Sequence, residues 1–261
     1  MCRFLAYAAH RPTPLTSLLG PGGLDAFLGM APWNRDGWGM GWYDAQGRAQ
    51  VQKSVRTASD DPAFVACAGT AHSDVGIVHL RAATPGLAVE PHNTHPFQHG
   101  DLLMAHNGAI YPQDRLDELV PPGYAARLRG TTDSERYMLA VLAGVEQGLD
   151  VVDAIDQAVH RISSAFAPSS LNALLLTPSA LYAVGWHEPS RLPSIEFPGP
   201  MEQYFDLRYR VDDDAVVVAS TGWPQEEWEV LPNHHVLVVD RATLAVDRFA
   251  LPPPPAASAA S

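Results

Sequence analysis

Residues 1–7 of the chain read MCRFLAY, an apolar segment with one of only two cysteines directly behind the initiator methionine. Removal of Met1 requires a small second side chain, and cysteine is small enough. Cys2 would then carry both a thiol and a free α-amine, whose usual pKa values lie near ~8.5 and ~8. The amine could accept the thiol proton, which would make Cys2 a nucleophile with its own base. Taken alone, Cys2 is more simply a small apolar residue that starts a buried strand.

The strand pattern that begins with CRFLAYA continues along the chain. Seven more apolar segments, mostly bounded by turn residues, are predicted to be strands: GMGWYD (39–44), VGIVHLRA (75–82), DLLMAHNG (101–108), LNALLLT (171–177), LYAVGWH (181–187), AVVVAS (215–220) and HVLVVD (235–240). Strands that are apolar on both faces need cover on both sides. Because most strands lie close together in the sequence, we expect a layered, largely antiparallel α+β fold.

Two helices stand out in the middle of the chain. The first lies within residues 131–148, where Thr132 and Glu135 have the spacing of a capping box. The second lies within residues 150–162, where apolar side chains recur at helical spacing. Neither helix could bury its apolar stripe alone, so both are expected to cover a sheet.

The composition argues against several kinds of partner. The chain has 17 Lys and Arg against 29 Asp and Glu, a net charge of −12, so it would repel nucleic acid and anionic membrane surfaces. Neither the short apolar start nor residues 171–186 suit a signal-peptide core or a membrane span. We therefore expect a cytoplasmic protein. Residues 251–261, LPPPPAASAAS, are expected to form a disordered Pro/Ala/Ser tail.

The segment VGIVHLRAAT, residues 75–84, contains a candidate binding residue. In a strand, His79 and Arg81 share one face. An arginine at the end of an apolar strand is costly to bury unless it meets an anion, and its fork of donors suits a carboxylate. On its own, Arg81 is more simply explained by an ion pair with one of the many acids, and Thr84 is an ordinary turn residue.

Two further segments have both a structural and a functional interpretation. Asn107-Gly108 ends an apolar strand and is typical of a hairpin turn. The same amide and backbone N–H could instead stabilise a developing oxyanion. Asp133 begins a predicted helix, where the helix dipole favours a carboxylate. It could alternatively hold a substrate ammonium.

The segment EPHNTHPFQHG brings His92, His95 and His99 close together in the sequence. Three histidines suggest a metal site. However, Pro96 would break any helix that could align them, and no cysteine or carboxylate completes a usual zinc pattern. Loop histidines that bond to the backbone are the simpler interpretation, so we predict no metal.

The segment NRDGWGMGWYD alternates glycines with large side chains. Gly37, Gly39 and Gly41 would fill one face of the strand. Such a glycine stripe usually means that another backbone packs very close to the strand. Tight sheet packing is a sufficient explanation for it.

The order of these motifs is more specific than any one of them. MC, DGWG, HLRAAT, NTHPF, AHNG and TDSE, in this order, resemble the class II glutamine amidotransferase domain, a member of the N-terminal nucleophile hydrolases. The resemblance covers residues 2 to about 140 by motif. It implies a four-layer αββα sandwich, and we expect one glutaminase-type domain over residues 2–250.

The resemblance also implies roles for the candidate residues. Cys2 would attack the side-chain amide of glutamine or of a γ-glutamyl compound, and its α-amine would carry the proton to the leaving amine. Asn107 and Gly108 would stabilise the tetrahedral oxyanion. Water would then release glutamate from the thioester, with no cofactor and no metal.

The same resemblance assigns the binding residues. Arg81 would clamp the substrate α-carboxylate with Thr84 beside it, and Asp133 would hold the α-ammonium. His95 falls where the family keeps a histidine near the pocket, without a firm role. The group beyond the amide nitrogen is then free to vary.

Three functions stay open at this point. The sandwich would absorb nearly the whole chain, which favours a stand-alone amidohydrolase, similar to the small enzymes of ergothioneine synthesis and glutathione breakdown. A second function is a glutaminase subunit that supplies ammonia to a separate synthetase. A third is a catalytically silent protein that only binds γ-glutamyl compounds.

Overall fold

A computed structural model of the chain describes residues 2–20 and 22–252. Most of the tail predicted over residues 251–261 therefore lies outside the described residues. Within the described residues, no helix is both long enough and apolar enough to cross a bilayer.

The described residues form thirteen strands and five α-helices. The strands are β1 (Arg3–Thr13), β2 (Trp38–Tyr43), β3 (Ala49–Ser54), β4 (Ser73–Leu80), β5 (Phe97–His99), β6 (Leu102–Asn107), β7 (Asn172–Leu176), β8 (Ala180–Gly185), β9 (Leu207–Val211), β10 (Ala215–Ser220), β11 (Glu229–Leu231), β12 (His235–Asp240) and β13 (Val246–Ala250). The helices are α1 (Leu15–Leu18), α2 (Gly23–Leu28), α3 (Pro62–Thr70), α4 (Asp133–Glu146) and α5 (Val151–Ala165).

The strands form two antiparallel sheets. The first sheet has the order β11-β9-β10-β1-β4-β2-β3, and the second has the order β13-β12-β8-β7-β6-β5. Strand β1 is central in the first sheet, where Arg3 pairs with Leu80 of β4 and Leu5 pairs with Ala219 of β10. This arrangement confirms the predicted antiparallel α+β fold.

Three apolar clusters separate four layers, as the αββα sandwich requires. One cluster lies between the two sheets and includes Phe4 of β1 and Leu103 of β6. A second joins the outer face of the second sheet to α4 and α5. The third joins the outer face of the first sheet, through Leu5 and Tyr7, to the helices α1 to α3. Phe4 and Leu5 point to opposite clusters because successive strand residues alternate between faces, which explains why the strands are apolar on both faces.

Both predicted helices form, and side chains cap their first turns. Thr132 Oγ1 accepts a hydrogen bond from the N–H of Glu135 at 3.2 Å, as the capping-box spacing predicts. The Glu135 carboxylate then bonds to the backbone N–H groups of Arg129 and Gly130 at 2.9 and 2.8 Å, instead of turning back to Thr132. Asp150 caps α5 in the same way, by accepting from the N–H of Asp153. Such caps typically contribute about 1 kcal/mol each.

The glycine stripe of β2 has the close neighbour that its pattern predicts. A Cβ added at Gly39 would lie 1.9 Å from the carbonyl oxygen of His95, and one at Gly41 would lie 2.8 Å from Cγ of Pro96. The His95–Pro96 segment, joined by a cis peptide bond, therefore rests directly on β2. At Gly39 and Gly41, no side chain larger than the glycine hydrogen fits between β2 and this segment.

Three helices and several strands are not predicted by the sequence pattern. Helix α1 has 4 residues and α2 has 6, too few for a periodic apolar stripe to be recognised. Strand β3, AQVQKS, is half-buried along its whole length and carries polar side chains. These elements form because neighbouring layers cover them. Such tertiary contacts cannot be recognised from the local periodicity of the sequence.

Candidate active site

Cys2 lies at the end of the first sheet, immediately before β1. Its side chain is buried, and its Sγ meets the backbone of Ala82, which follows β4. The Ala82 N–H donates to Sγ at 3.4 Å, and the thiol can donate to the Ala82 carbonyl at 3.5 Å. Burial raises the pKa of the Cys2 thiol, while the Ala82 contact and the charges of Arg81 and Arg3 oppose that rise. The thiol therefore needs a base to become a nucleophile near neutral pH.

Arg81 is next to this contact and is only 2% exposed. Its guanidinium donates to the carbonyls of Ala88 at 3.0 Å and Asp36 at 3.5 Å. None of the ion pairs among the described residues involves Arg81. The simpler explanation for Arg81, an ion pair with an acidic side chain, is therefore not found among these residues. Among the described residues, the Arg81 guanidinium thus has hydrogen bonds to carbonyl oxygens and no acidic partner.

The turn at Asp36-Gly37 holds Arg81 in position. The N–H of Asp36 donates to the Arg81 carbonyl at 3.0 Å, and the Arg81 N–H donates to the Gly37 carbonyl at 2.8 Å. The Asp36 carboxylate also accepts from the N–H of Ala83 at 2.7 Å. No role was predicted for Asp36 from the sequence, although an Asp-Gly pair is typical of a turn.

Asn107 ends β6 with its side chain completely buried. Neither its amide nitrogen nor its amide oxygen has a hydrogen-bond partner among the described residues. Gly108 follows it, where an added Cβ would lie 1.9 Å from the carbonyl oxygen of Ser170. Buried amides are usually satisfied, so the Asn107 amide is an exception that requires an explanation.

Asp133 is joined to the loop that follows Gly108. Its carboxylate accepts from the N–H of Ile110 at 2.9 Å and from the N–H of Ser134 at 2.8 Å. The carboxylate is thus both a residue of the first helical turn and a link between α4 and the Asn107–Gly108 segment. His106 also joins these elements, since its ring bonds to Ser134 Oγ at 2.9 Å.

The segments that follow Arg81 and Gly108 border a common cleft. Its volume is about 400 Å³, and its walls come from the segments that follow Arg81 and Gly108 together with residues of a later loop: Ala82, Ala83, Thr84, Pro85, Ala109, Tyr111, Ser169, Arg191, Pro193 and Ile195. Thr84 is the one predicted site residue in this lining. Cys2 and Arg81 adjoin the cleft through Ala82, and Gly108 adjoins it through Ala109.

His95 lies in the interior behind β2 and β4. Its ring centroid is 4.1 Å from that of His79 and 4.7 Å from that of Phe97, and burial lowers its pKa well below the usual value. Its two ring nitrogens have no hydrogen-bond partner among the described residues. This buried, neutral imidazole differs from the loop histidine bonded to backbone that the sequence favoured.

The three histidines do not converge. His92 lines a separate cleft with Lys53, and His99 lies 4.0 Å from the Glu135 carboxylate. Among residues 2–20 and 22–252, no three side chains of the His, Cys, Asp or Glu type are arranged to hold a metal ion.

Asn93 is a structural residue for which the sequence predicted no role. Its Nδ2 donates to the Ala88 carbonyl at 3.1 Å, the same carbonyl that Arg81 contacts. Its Oδ1 accepts from the N–H of Thr131 at 2.8 Å. Asn93 thereby ties the loop beside Arg81 to the start of α4. Its place in the NTHPF motif was the signal that could have identified it.

Comparison with known proteins gives one family. The model of the family described as "Glutamine amidotransferases class-II" matches residues 1–248. The gamma-glutamyl-hercynylcysteine sulfoxide hydrolases of Mycolicibacterium smegmatis and Mycobacterium tuberculosis are similar. The first is 28% identical over 215 residues, 82% of this chain and 81% of the relative. The second is 28% identical over 210 residues, 79% of this chain and 76% of the relative. Glutamine–fructose-6-phosphate aminotransferase of Mesorhizobium japonicum is 39% identical over 94 residues, 36% of this chain and 15% of that enzyme.

Solved structures share the fold. A glutamine aminotransferase class-II domain protein from Silicibacter pomeroyi superimposes with a TM-score of 0.67 and 21% identity, over 97% of this chain and all of that one. Glutamine phosphoribosylpyrophosphate amidotransferase from B. subtilis has a TM-score of 0.66 and 15% identity, over 96% of this chain and 49% of that one. At these identities the likeness shows the N-terminal nucleophile hydrolase fold.

Proposed function

We propose, because this chain belongs to the class II glutamine amidotransferase family, that it hydrolyses the γ-amide of a γ-glutamyl compound through a thioester on Cys2. The observation that carries the proposal is the contact of Cys2 Sγ with the Ala82 backbone, directly beside Arg81. The similarity to γ-glutamyl hydrolases over 82% of the chain supports the same reaction class.

The first step is activation of Cys2. Removal of Met1 frees the α-amine of Cys2, which accepts the thiol proton while Sγ attacks the amide carbon. Because burial raises the pKa of this thiol, the amine supplies the base that the thiol requires. The Ala82 N–H, 3.4 Å from Sγ, stabilises the developing thiolate.

The second step is stabilisation of the tetrahedral intermediate. The attack moves charge onto the amide oxygen, and the Asn107 amide with the Gly108 N–H donates to it. The absence of a partner for the Asn107 amide among the described residues supports this role, because no existing hydrogen bond has to break before the amide donates to the oxyanion. The C–N bond then breaks, and the proton on the α-amine of Cys2 leaves with the amine.

The remaining thioester is hydrolysed by water. The α-amine accepts a proton from water as the hydroxide attacks the acyl carbon, and the thiolate leaves and recovers that proton. The products are glutamate and the free amine, so the sum is the addition of one water across the amide bond.

The γ-glutamyl head carries one fixed anion and one fixed cation. Arg81 binds the α-carboxylate, with Thr84 beside it, because its guanidinium has only carbonyl partners among the described residues. Asp133 attracts the α-ammonium, while its bonds to Ile110 and Ser134 hold it in one orientation. His95 acts indirectly, by packing on His79 and Gly39 behind the pocket.

A second candidate is a glutaminase that passes ammonia to a separate synthetase. The likeness of 94 residues to glutamine–fructose-6-phosphate aminotransferase favours it. The two functions share every step at Cys2 and differ in the leaving group, which is ammonia in one and a larger amine in the other.

The test compares glutamine with a panel of γ-glutamyl amides and measures glutamate release, and ammonia release for glutamine. Intact-mass spectrometry of the same preparation shows whether Met1 is absent. We expect Cys2→Ala to lose at least about 10³-fold in kcat. The matched control is Cys67→Ala, since Cys67 is also buried but lies in α3 against the outer core.

Four outcomes contradict the proposal in different ways. Active protein that retains Met1 would exclude the α-amine as the base. Cys2→Ala with unchanged turnover would exclude the thioester. Turnover of glutamine far above that of every γ-glutamyl amide would favour the ammonia-supplying function, and binding of glutamine analogues without turnover would favour a silent binding protein.

A further inference from the structure

Lys53 of β3 is the single lysine in the sequence. The chain has 17 Lys and Arg, and all the others are arginines. The two residue types differ chemically, because a guanidinium stays charged, whereas burial readily shifts the pKa of an ammonium and can free a nucleophilic amine. The surroundings of Lys53 therefore decide whether its amine is a fixed charge or a nucleophile.

Lys53 lines a cleft of its own, which we call the Lys53 cleft. Its volume is about 310 Å³, and its walls include Lys53, His92, Phe97, Arg129 and Glu135. Lys53 is half-buried there and pairs in register with Gly39 of β2, and its Nζ lies 5.1 Å from the centre of the Phe97 ring. Among the described residues, no wall residue is common to this cleft and the cleft beside Ala82. The Lys53 cleft is therefore separate from the proposed active site.

The Lys53 amine lacks the acidic partner that a half-buried ammonium usually has. None of the ion pairs among the described residues involves Lys53. The nearby Glu135 carboxylate is 1% exposed and already accepts from the N–H groups of Arg129 and Gly130. Burial lowers the pKa of Lys53 to about 8, against the charge of Glu135 and with that of Arg129. At pH 8 about half of the Lys53 amines are therefore neutral, against less than about 1% for an ordinary lysine.

Two further basic side chains of the Lys53 cleft are available to an anion. None of the ion pairs within the described part of the chain involves Arg129 or His92. Glu135, the acid in the wall, lies 4.0 Å from His99 and accepts the two backbone N–H groups instead. The whole chain has a net charge of −12, so composition does not explain this local group of basic side chains. A guanidinium and an imidazole beside an amine suit a ligand with a carboxylate or a phosphate.

We propose that Lys53 is a covalent binding site for small aldehydes or ketones that carry a carboxylate or phosphate, with Arg129 and His92 binding the anion while Nζ forms an imine. The neutral amine attacks the carbonyl carbon, as a desolvated lysine beside another cation does. The C–N bond becomes double as the C–O bond breaks, and the oxygen leaves as water with the two amine hydrogens. Addition of water reverses the step. The reaction is separate from that at Cys2 and does not rest on the proposed function.

The test measures labelling of the two kinds of primary amine in the chain, the Lys53 side chain and the N-terminal α-amine. Sodium cyanoborohydride reduces each imine to a stable secondary amine, and peptide mass spectrometry identifies the labelled residue. Two pairs of probes differ in their anion: 4-oxobutanoate against butanal, and glyceraldehyde 3-phosphate against glyceraldehyde. We expect Lys53 to react at least about 10-fold faster than the side chain of Nα-acetyl-lysine at pH 8. We expect it to prefer an anionic aldehyde over its neutral counterpart by about 10-fold or more, and the pair with the larger ratio distinguishes a carboxylate from a phosphate.

Variants separate binding of the anion from reaction of the amine. Lys53→Arg should confine the label to the α-amine, and Arg129→Met should abolish the preference for the anionic aldehyde. The matched control is Arg127→Met, which should keep the preference, since Arg127 pairs with Glu146. Equal rates for the charged and neutral aldehydes in the wild-type protein, or a Lys53 that reacts no faster than Nα-acetyl-lysine, would overturn the proposal without any variant. An Arg129→Met protein that retains the full preference would also overturn it.

Discussion

Two buried asparagines face each other across the second sheet and make a stringent test of the site. Asn107 of β6 pairs in register with Asn172 of β7, and both are completely buried. Asn172 donates to the Phe205 carbonyl at 2.6 Å and accepts from the Trp186 N–H at 2.8 Å. The Asn107 amide has no partner among the described residues. Alanine at either position removes the same side-chain atoms, but we expect a loss of stability at Asn172 and a loss of activity at Asn107.

Asn172→Ala should destabilise the protein. The substitution leaves a buried N–H and a buried carbonyl unsatisfied, at a cost of about 1–3 kcal/mol each, so the total loss is about 2–6 kcal/mol. For a chain of this size 1 kcal/mol corresponds to about 2–4 °C in Tm, and we expect a fall of at least about 4 °C.

Asn107→Ala should leave stability nearly unchanged and remove activity. The lost packing is offset by removal of an unsatisfied buried amide, so the free energy of unfolding should change by no more than about 1 kcal/mol. Loss of an oxyanion donor lowers kcat by about 10²- to 10³-fold, or about 2.7–4 kcal/mol in the activation barrier.

The assay is thermal unfolding together with glutamate release from a γ-glutamyl amide for both variants. Asn172→Ala is expected to retain kcat at temperatures where it stays folded. If Asn107→Ala lost as much stability as Asn172→Ala, the Asn107 amide of the wild-type protein would have a hydrogen-bond partner in solution. The argument that this amide is free to donate to the oxyanion would then fail. An Asn107→Ala protein within tenfold of wild-type kcat would remove this residue from the mechanism.

Three further predictions concern stability. Burial lowers the pKa of His79 from about 6.5 to about 3, so the unfolded chain binds a proton that the folded protein excludes. The contribution of His79 to the free energy of unfolding is therefore fully present above pH 6.5 and falls by about 1.4 kcal/mol per pH unit below it. Between pH 7.5 and pH 5.0, the free energy of urea unfolding should fall by about 2 kcal/mol more for the wild-type protein than for His79→Leu. Gly39→Ala should cost several kcal/mol or prevent folding, since its Cβ would lie 1.9 Å from a carbonyl oxygen, whereas Gly69→Ala, with open space in α3, should stabilise by up to about 1 kcal/mol. A similar expression level and Tm for both glycine variants would contradict this packing. Thr132→Ala should cost about 1 kcal/mol in chemical unfolding through loss of its cap, and an unchanged value would show that α4 needs no cap.

The sequence by itself predicted the features that depend on local patterns. Apolar runs such as AVVVAS predicted strands covered on both faces, because a strand repeats every two residues. The Thr132–Glu135 spacing predicted the start of α4 within one turn. The order of short motifs predicted the family, because each motif keeps its residues close together along the chain.

The tertiary structure decided everything that depends on distant partners. Cys2 and Ala82 are 80 residues apart, and their contact arises only when β1 pairs with β4. Whether a buried amide is satisfied depends on another strand, which is why Asn107 and Asn172 look alike in the sequence and differ in the fold. The lack of an acidic partner for Arg81 among the described residues is likewise invisible in HLRAAT, because an ion pair depends on the neighbours that folding brings to a side chain, and not on the side chain itself.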